Sequence, residues 1–104
     1  MDLIFENDVV EDNEIEFNDN IIIFSEKNGR KTNTYLIKWN IDKNELKDHL
    51  KTLKRKYGCN GSIKNKNFQG SEYESLHLQG ELKDELKEYL LSKDINENMI
   101  EVKI

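Results

Sequence analysis

Apolar residues change their period along this chain, and that change limits the possible folds more than any other feature. Ile21-Ile22-Ile23-Phe24-Ser25 is a β-branched run that predicts a strand. Lys27-Asn28-Gly29-Arg30 contains Asn-Gly, the strongest short hairpin signal, because both residues tolerate positive φ. Thr32 to Trp39 then alternates, with Tyr35, Ile37 and Trp39 assigned to one face. The period next becomes helical: Leu46, Leu50, Leu53 and Tyr57 fall on one stripe. Asp42-Lys43-Asn44-Glu45 precedes that stripe as a capping box, and Gly58 follows it as a left-handed stop. Gly61 to Lys66 predicts a short strand, Asn67 to Ser71 a loop, and Tyr73 to Gln79 a strand with Leu76 and Leu78 inward. Gly58-Cys59-Asn60-Gly61 reads as a tight helix-to-strand connection. Leu82, Leu86, Tyr89 and Leu90 set a second helical stripe, with Glu81, Asp84 and Glu85 near its start. Asn96-Glu97-Asn98 turns the chain, and Ile100, Val102 and Ile104 alternate in a last strand.

The order is β-β-α-β-β-α-β. Without its first strand it is the split βαβ arrangement. Helices with one apolar stripe and strands with one apolar face bury both by forming two layers. The expected fold class is therefore α+β: a two-layer sandwich with two helices on one face of a mostly antiparallel sheet. Residues 1–20 are expected to form a flexible acidic arm, because they hold eight acids and no base. Residues 21–104 are expected to form one domain, which suits a chain of 104 residues.

Charge divides the chain further. The net charge is −5, yet residues 27–66 hold twelve bases against Asp42, Glu45 and Asp48, while residues 67–104 hold four bases and nine acids. Such a block inside an acidic protein points to an anionic partner for one face. Its bases are ordered. At about 100° per residue, Lys43, Lys47, Lys51 and Lys54 fall on a helix stripe beside the apolar one. Lys54, Arg55 and Lys56 suit the negative end of the helix dipole. The absence of alanine and proline, with abundant Asn, Lys and Ile, fits an AT-rich coding bias and makes lysine counts alone a weak argument.

Several classes of function are disfavoured. No run of about 18 apolar residues exists to cross a membrane, and Met1-Asp2-Leu3-Ile4-Phe5-Glu6 lacks the basic start of a signal peptide. Cys59 is the one cysteine, which excludes an internal disulfide and fits a cytoplasmic setting. His49 and His77 occur in no nucleophile or metal-ligand pattern, so neither an enzyme nor a cofactor is expected. His77, between Leu76 and Leu78, is expected at the surface or partly covered. Cys59 follows a helix C-terminus, which raises a thiol pKa, and reads as a small buried residue.

Structured RNA is the favoured anion. Contacts to a nucleic-acid backbone need several cations spaced along one surface. DNA-binding motifs are missing, and base stacking on the sheet is not expected, because the inner strands offer Leu76 and Leu78. A protein-interaction module using the acidic arm or second helix is the alternative.

Three blocks carry a more specific signal. They are Asn28-Gly29-Arg30-Lys31-Thr32, the helix ending Leu53-Lys54-Arg55-Lys56-Tyr57-Gly58-Cys59-Asn60-Gly61, and Leu78-Gln79-Gly80. In this order and spacing the chain resembles the eukaryotic translation initiation factor 1 family from about Ile21 to Ile104. The resemblance implies a non-catalytic factor that binds the small ribosomal subunit near the P site. Such a factor promotes scanning and accurate start-codon selection. The partners implied are ribosomal RNA, the initiator tRNA and mRNA region, and other initiation factors, with the protein a monomer. The implied RNA-binding residues are Asn28, Gly29, Arg30, Lys31 and Thr32 in the hairpin, with Lys47, Lys51, Lys54, Arg55 and Lys56 in the helix. Phe68, Gln69, Gly70 and Ser71 are implied as a loop facing tRNA. The family also contains reinitiation and tRNA-recycling relatives, and a viral copy acting on host translation would fit the composition.

Overall fold

The computed structural model describes residues 20–103. The elements are β1 (Ile21–Asn28), β2 (Lys31–Ile37), α1 (Lys43–Tyr57), β3 (Gly61–Phe68), β4 (Ser71–Gln79), α2 (Lys83–Ser92) and β5 (Ile100–Val102), with a 3-10 turn at Glu97–Met99. The predicted order and fold class are both observed. The acidic arm and Ile104 lie outside the described residues, Asn20 excepted.

The sheet order is β3-β4-β2-β1-β5. Strands β2 to β5 keep the split βαβ scheme, and β1 is inserted between β2 and β5. It pairs antiparallel with β2 and parallel with β5, Ile21 facing Ile100, while β2–β4 and β3–β4 are antiparallel. Both helices pack on one face, α1 over β3 and β4 and α2 over β1 and β5. Leu46, Leu50 and Leu53 of α1 and Leu86, Tyr89 and Leu90 of α2 meet Ile21, Ile23, Leu36, Leu76 and Leu78 of the sheet in the main core. Each fully buried leucine contributes roughly 1.5–3 kcal/mol of transfer free energy.

The face opposite the helices holds a second, smaller core of Ile22, Phe24, Tyr35 and Ile37, with Phe68 and Tyr73 packed against it. Phe24 and Phe68 make ring contact at 4.6 Å. They sit on β1 and β3, which β4 and β2 separate; in a flat sheet those strands would stand about 14 Å apart. The contact therefore requires the distal half of the β3–β4 hairpin to bend back over this face. Ser75 lies fully buried in the bend, and its hydroxyl donates to the Lys64 carbonyl at 2.7 Å.

Three local readings need correction. Asn28 pairs with Lys31, so the turn of the first hairpin is Gly29-Arg30 rather than Asn28-Gly29. Only Gly29 of that pair has positive φ, +69°, the pattern of a type II′ turn. The predicted 67–71 loop is a two-residue turn in which Gln69 and Gly70 both have positive φ, as type I′ requires. Trp39 does not share a face with Tyr35 and Ile37. Lys38 adopts φ +67° after β2 ends, and Trp39 instead joins the helix-side core, its ring tilted against His49 at 4.5 Å. Gly61 opens β3 as predicted, and the position also needs space: a Cβ there would overlap the His77 carbonyl and the Leu78 side chain.

Candidate nucleic-acid interface

Local chemistry fixes both ends of α1. The Asp42 carboxylate accepts from the Asn44 N–H at 3.2 Å. At the other end Gly58 adopts φ +60°, and its N–H and that of Cys59 donate to the Lys54 carbonyl. The last turn thus gathers Lys54, Arg55 and Lys56 where the helix dipole is negative.

Two contacts orient the flanks of α1. His49 Nδ1 lies 2.7 Å from the Tyr89 hydroxyl, and the Tyr57 hydroxyl donates to the Glu85 carbonyl at 3.3 Å, so this side faces α2. At about 100° per residue Lys47, Lys51 and Lys54 fall on the opposite flank, above the β3 edge of the sheet. Arg55 points away from the sheet. Lys56 does not join that flank; it turns to the α2 side, with its ammonium 5.7 Å from the Tyr57 ring centre.

The hairpin tip stands at the same end of the sheet as the C-terminus of α1. Asn60, two residues past Gly58, accepts from the Gln79 N–H at 2.8 Å, and Thr32 accepts from the Gly80 N–H at 2.7 Å. These bonds join the exit of α1, the end of β4 and the tip of the first hairpin in one row. Gly29, Arg30 and Lys31 are exposed there with Asn28, while Thr32 is half-buried. Lys31 emerges on the sheet face opposite α1. The basic surface is therefore a band around one end and the β3 edge, where the sequence predicts an anionic partner for one face.

Ion pairing distinguishes these cations from five lysines elsewhere in the described residues. The ion pairs formed among the described residues use Lys43 with Glu74, Lys66 with Glu26, Lys83 with Glu81, Lys87 with Glu97 and Lys103 with Glu101. None of them engages Arg30, Lys31, Lys47, Lys51, Lys54, Arg55 or Lys56. Spacing groups Lys43 with the basic stripe, but it forms an exposed ion pair with Glu74 on β4 at 3.1 Å. Cations held apart from carboxylates keep their counterions, which is the condition for gaining free energy when a polyanion displaces them.

The second hairpin tip is different. Gln69, Gly70 and Ser71 are exposed, whereas Phe68 is half-buried against Phe24. Its ring belongs to the second core, which leaves the three following residues exposed at the tip.

Both histidines are engaged within the fold. His77 points away from the Leu76 and Leu78 face but is 6% exposed, more deeply covered than the surface or partly covered position expected. It stacks on Tyr35 at 5.1 Å, and burial followed by Lys64 and Lys66 lowers its pKa. Burial, then Lys93, lowers that of His49. Cys59 is half-buried, and burial pushes its thiol pKa up. Among the described residues no cluster of three or more His, Cys, Asp or Glu side chains could hold a metal ion, and no helix is long and apolar enough to cross a membrane.

Residues 19–96 match the family model described as translation initiation factor SUI1. No curated protein matches the chain.

Proposed function

The chain belongs to the translation initiation factor SUI1 family, and from that premise we propose that it binds the small ribosomal subunit near the P site and enforces start-codon selection. On this reading residues 21–104 are the binding body. Lys47, Lys51, Lys54, Arg55 and Lys56 contact ribosomal RNA, and the tip from Asn28 to Thr32 reaches toward the tRNA and mRNA region. Gln69, Gly70 and Ser71 face the initiator tRNA. The protein acts in the cytoplasm, as a monomer and without a catalytic step.

The observation that supports this reading is the set of cations without ion pairs where the exit of α1 meets the first hairpin. Fixed by phosphate contacts, the factor occupies space that a fully accommodated tRNA would need. A matched start codon favours accommodation and so weakens factor binding, and reciprocity requires the factor to oppose accommodation by the same free energy. Mismatched complexes then stay open for scanning.

The test is a pull-down of small ribosomal subunits. The combined change Lys51→Glu, Lys54→Glu, Arg55→Glu and Lys56→Glu abolishes retention while the circular dichroism spectrum stays folded. Undiminished retention at moderate salt would refute the placement. Arg30→Ala with Lys31→Ala raises initiation at UUG codons in a reporter more than it weakens binding; unchanged UUG use counts against the role of the tip.

A further inference from the structure

The face opposite the helices holds a second cationic feature, beside the aromatic core and not on α1. Lys31 and Asn33 of β2, His77 and Gln79 of β4 and Lys64 of β3 line a cleft of about 480 Å³. That volume lies within the range of small-ligand pockets. No carboxylate lines the cleft. Glu26, the acid that β1 places beside Asn33, is held by Lys66 at 2.6 Å. The rim therefore offers two ammonium groups with no competing anion.

The wall is polar and fixed in place. Asn33 and Gln79 are direct cross-strand partners, so their amides stand side by side. His77 Nε2 lies 2.9 Å from Asn33 Oδ1, and Nδ1 lies 3.4 Å from the Ser62 hydroxyl. This pairing has a neutral imidazole donating through Nε2–H, which leaves the Asn33 NH₂ to donate into the cleft. Stacking on Tyr35 holds the ring itself. Paired amides supply both donors and acceptors, the complement of a base edge. Ammonium groups at the rim suit a phosphodiester. A duplex hides its base edges, whereas an unpaired nucleotide presents both groups together.

We propose that this cleft binds one unpaired nucleotide of an RNA strand, with its phosphate on Lys31 and Lys64 and its base edge on Asn33 and Gln79. His77 is a positioning residue that orients Asn33. The inference rests on the RNA-binding reading above, shares Lys31 with the hairpin tip and otherwise uses the sheet face opposite α1. The charged groups around His77 are Lys64 and Lys66 from β3, Lys31 from β2 and Glu26 from β1. A bound phosphate offsets the lysines, so occupancy raises the pKa of the imidazole.

The chain contains two histidines, which makes the test direct. The folded protein is titrated with hexauridylate while the ring resonances of His77 and His49 are followed by NMR. The expected result is a shift of His77 with His49 unmoved, and a rise in the His77 pKa on saturation. Lys64→Gln weakens hexamer binding about tenfold with the melting temperature held, and Asn33→Ala weakens it by a similar factor while lowering the melting temperature, because it takes the acceptor from buried His77. Inorganic phosphate shifts His77 far less, and a twelve-base-pair RNA duplex leaves it unmoved. No binding of the hexamer, binding without a His77 shift, undiminished binding by Lys64→Gln, or an equal response to phosphate or duplex overturns the proposal. The small-subunit reading fails separately: it falls if the helix-reversed variant still retains subunits, whatever the hexamer does.

Discussion

The two helices lie side by side on one sheet and handle charge in opposite ways. Over its 15 residues α1 carries six bases and two acids, and its flank cations make no ion pair among the described residues; both lysines of α2 are paired, Lys83 with Glu81 and Lys87 with Glu97. Their ends differ as well. α1 is capped by its neighbours in sequence, Asp42 and Gly58. α2 has no side-chain cap of its own. Instead Thr34, fully buried in β2, accepts from the Leu82 N–H at 2.9 Å and donates to the Gly80 carbonyl at 2.6 Å. One helix is therefore self-sufficient and leaves its charge free for a partner. The other is held by the sheet and spends its charge within the fold.

The largest effect expected from this contrast is on binding. Changing Lys47, Lys51 and Lys54 to Glu lowers affinity for small subunits on the order of a hundredfold or more, because each lost cation removes a phosphate contact. The same reversal at Lys83 and Lys87 leaves affinity within about twofold, since these side chains lie outside the band. Sedimentation binding assays on both variants check this, and equal losses would erase the distinction between the helices.

Stability should show the reverse ranking. Thr34→Val leaves the Leu82 N–H and the Gly80 carbonyl without their buried partner and costs about 2 kcal/mol. Asp42→Ala removes an exposed cap and costs about 1 kcal/mol. Urea denaturation of the two variants measures the difference, and a greater loss at Asp42 would mean that α2 is not held through Thr34.

Acid should act more weakly, through the second core and the helix contact. Burial keeps His77 and His49 neutral, with pKa values below the ordinary 6.5. The unfolded chain then binds more protons than the fold in that range, so stability is full above about pH 6.5 and declines as pH falls below it. Denaturation midpoints at several pH values, repeated with His77→Gln, test the slope; a midpoint that rises on acidification contradicts it. The smallest effect is at Lys87→Met, under about 0.5 kcal/mol in the same denaturation assay, because its ion pair with Glu97 is exposed to solvent.

What was legible in the sequence was local. The stripe Leu46, Leu50, Leu53, the Asp42 cap and the Gly58 stop specify α1 within one stretch of chain, and the basic flank follows from the same geometry. Features that depend on distant residues were not legible. The turn shifted by one residue because pairing of Asn28 with Lys31, rather than the Asn-Gly dipeptide, set the register. Trp39 changed faces at the positive φ of Lys38, a torsion no periodicity reports. His77 is buried because β3 and β4 bend back over β2, and Phe68 shows that bend only through its contact with Phe24. The cleft beside His77 joins three strands, so no single motif marks it. Its weak signal is alternation, which places Lys64 and His77 on the face opposite Leu76 and Leu78.

The central claim is that the band from the first hairpin to the flank of α1 binds by displacing counterions from RNA. The most direct test is the salt dependence of small-subunit affinity for the wild type and for a series in which Lys47, Lys51 and Lys54 are changed one at a time to Gln. The account predicts a steep negative slope of log affinity against log salt, shallower by about one for each lysine removed. A flat slope, or one that these substitutions leave unchanged, would contradict it.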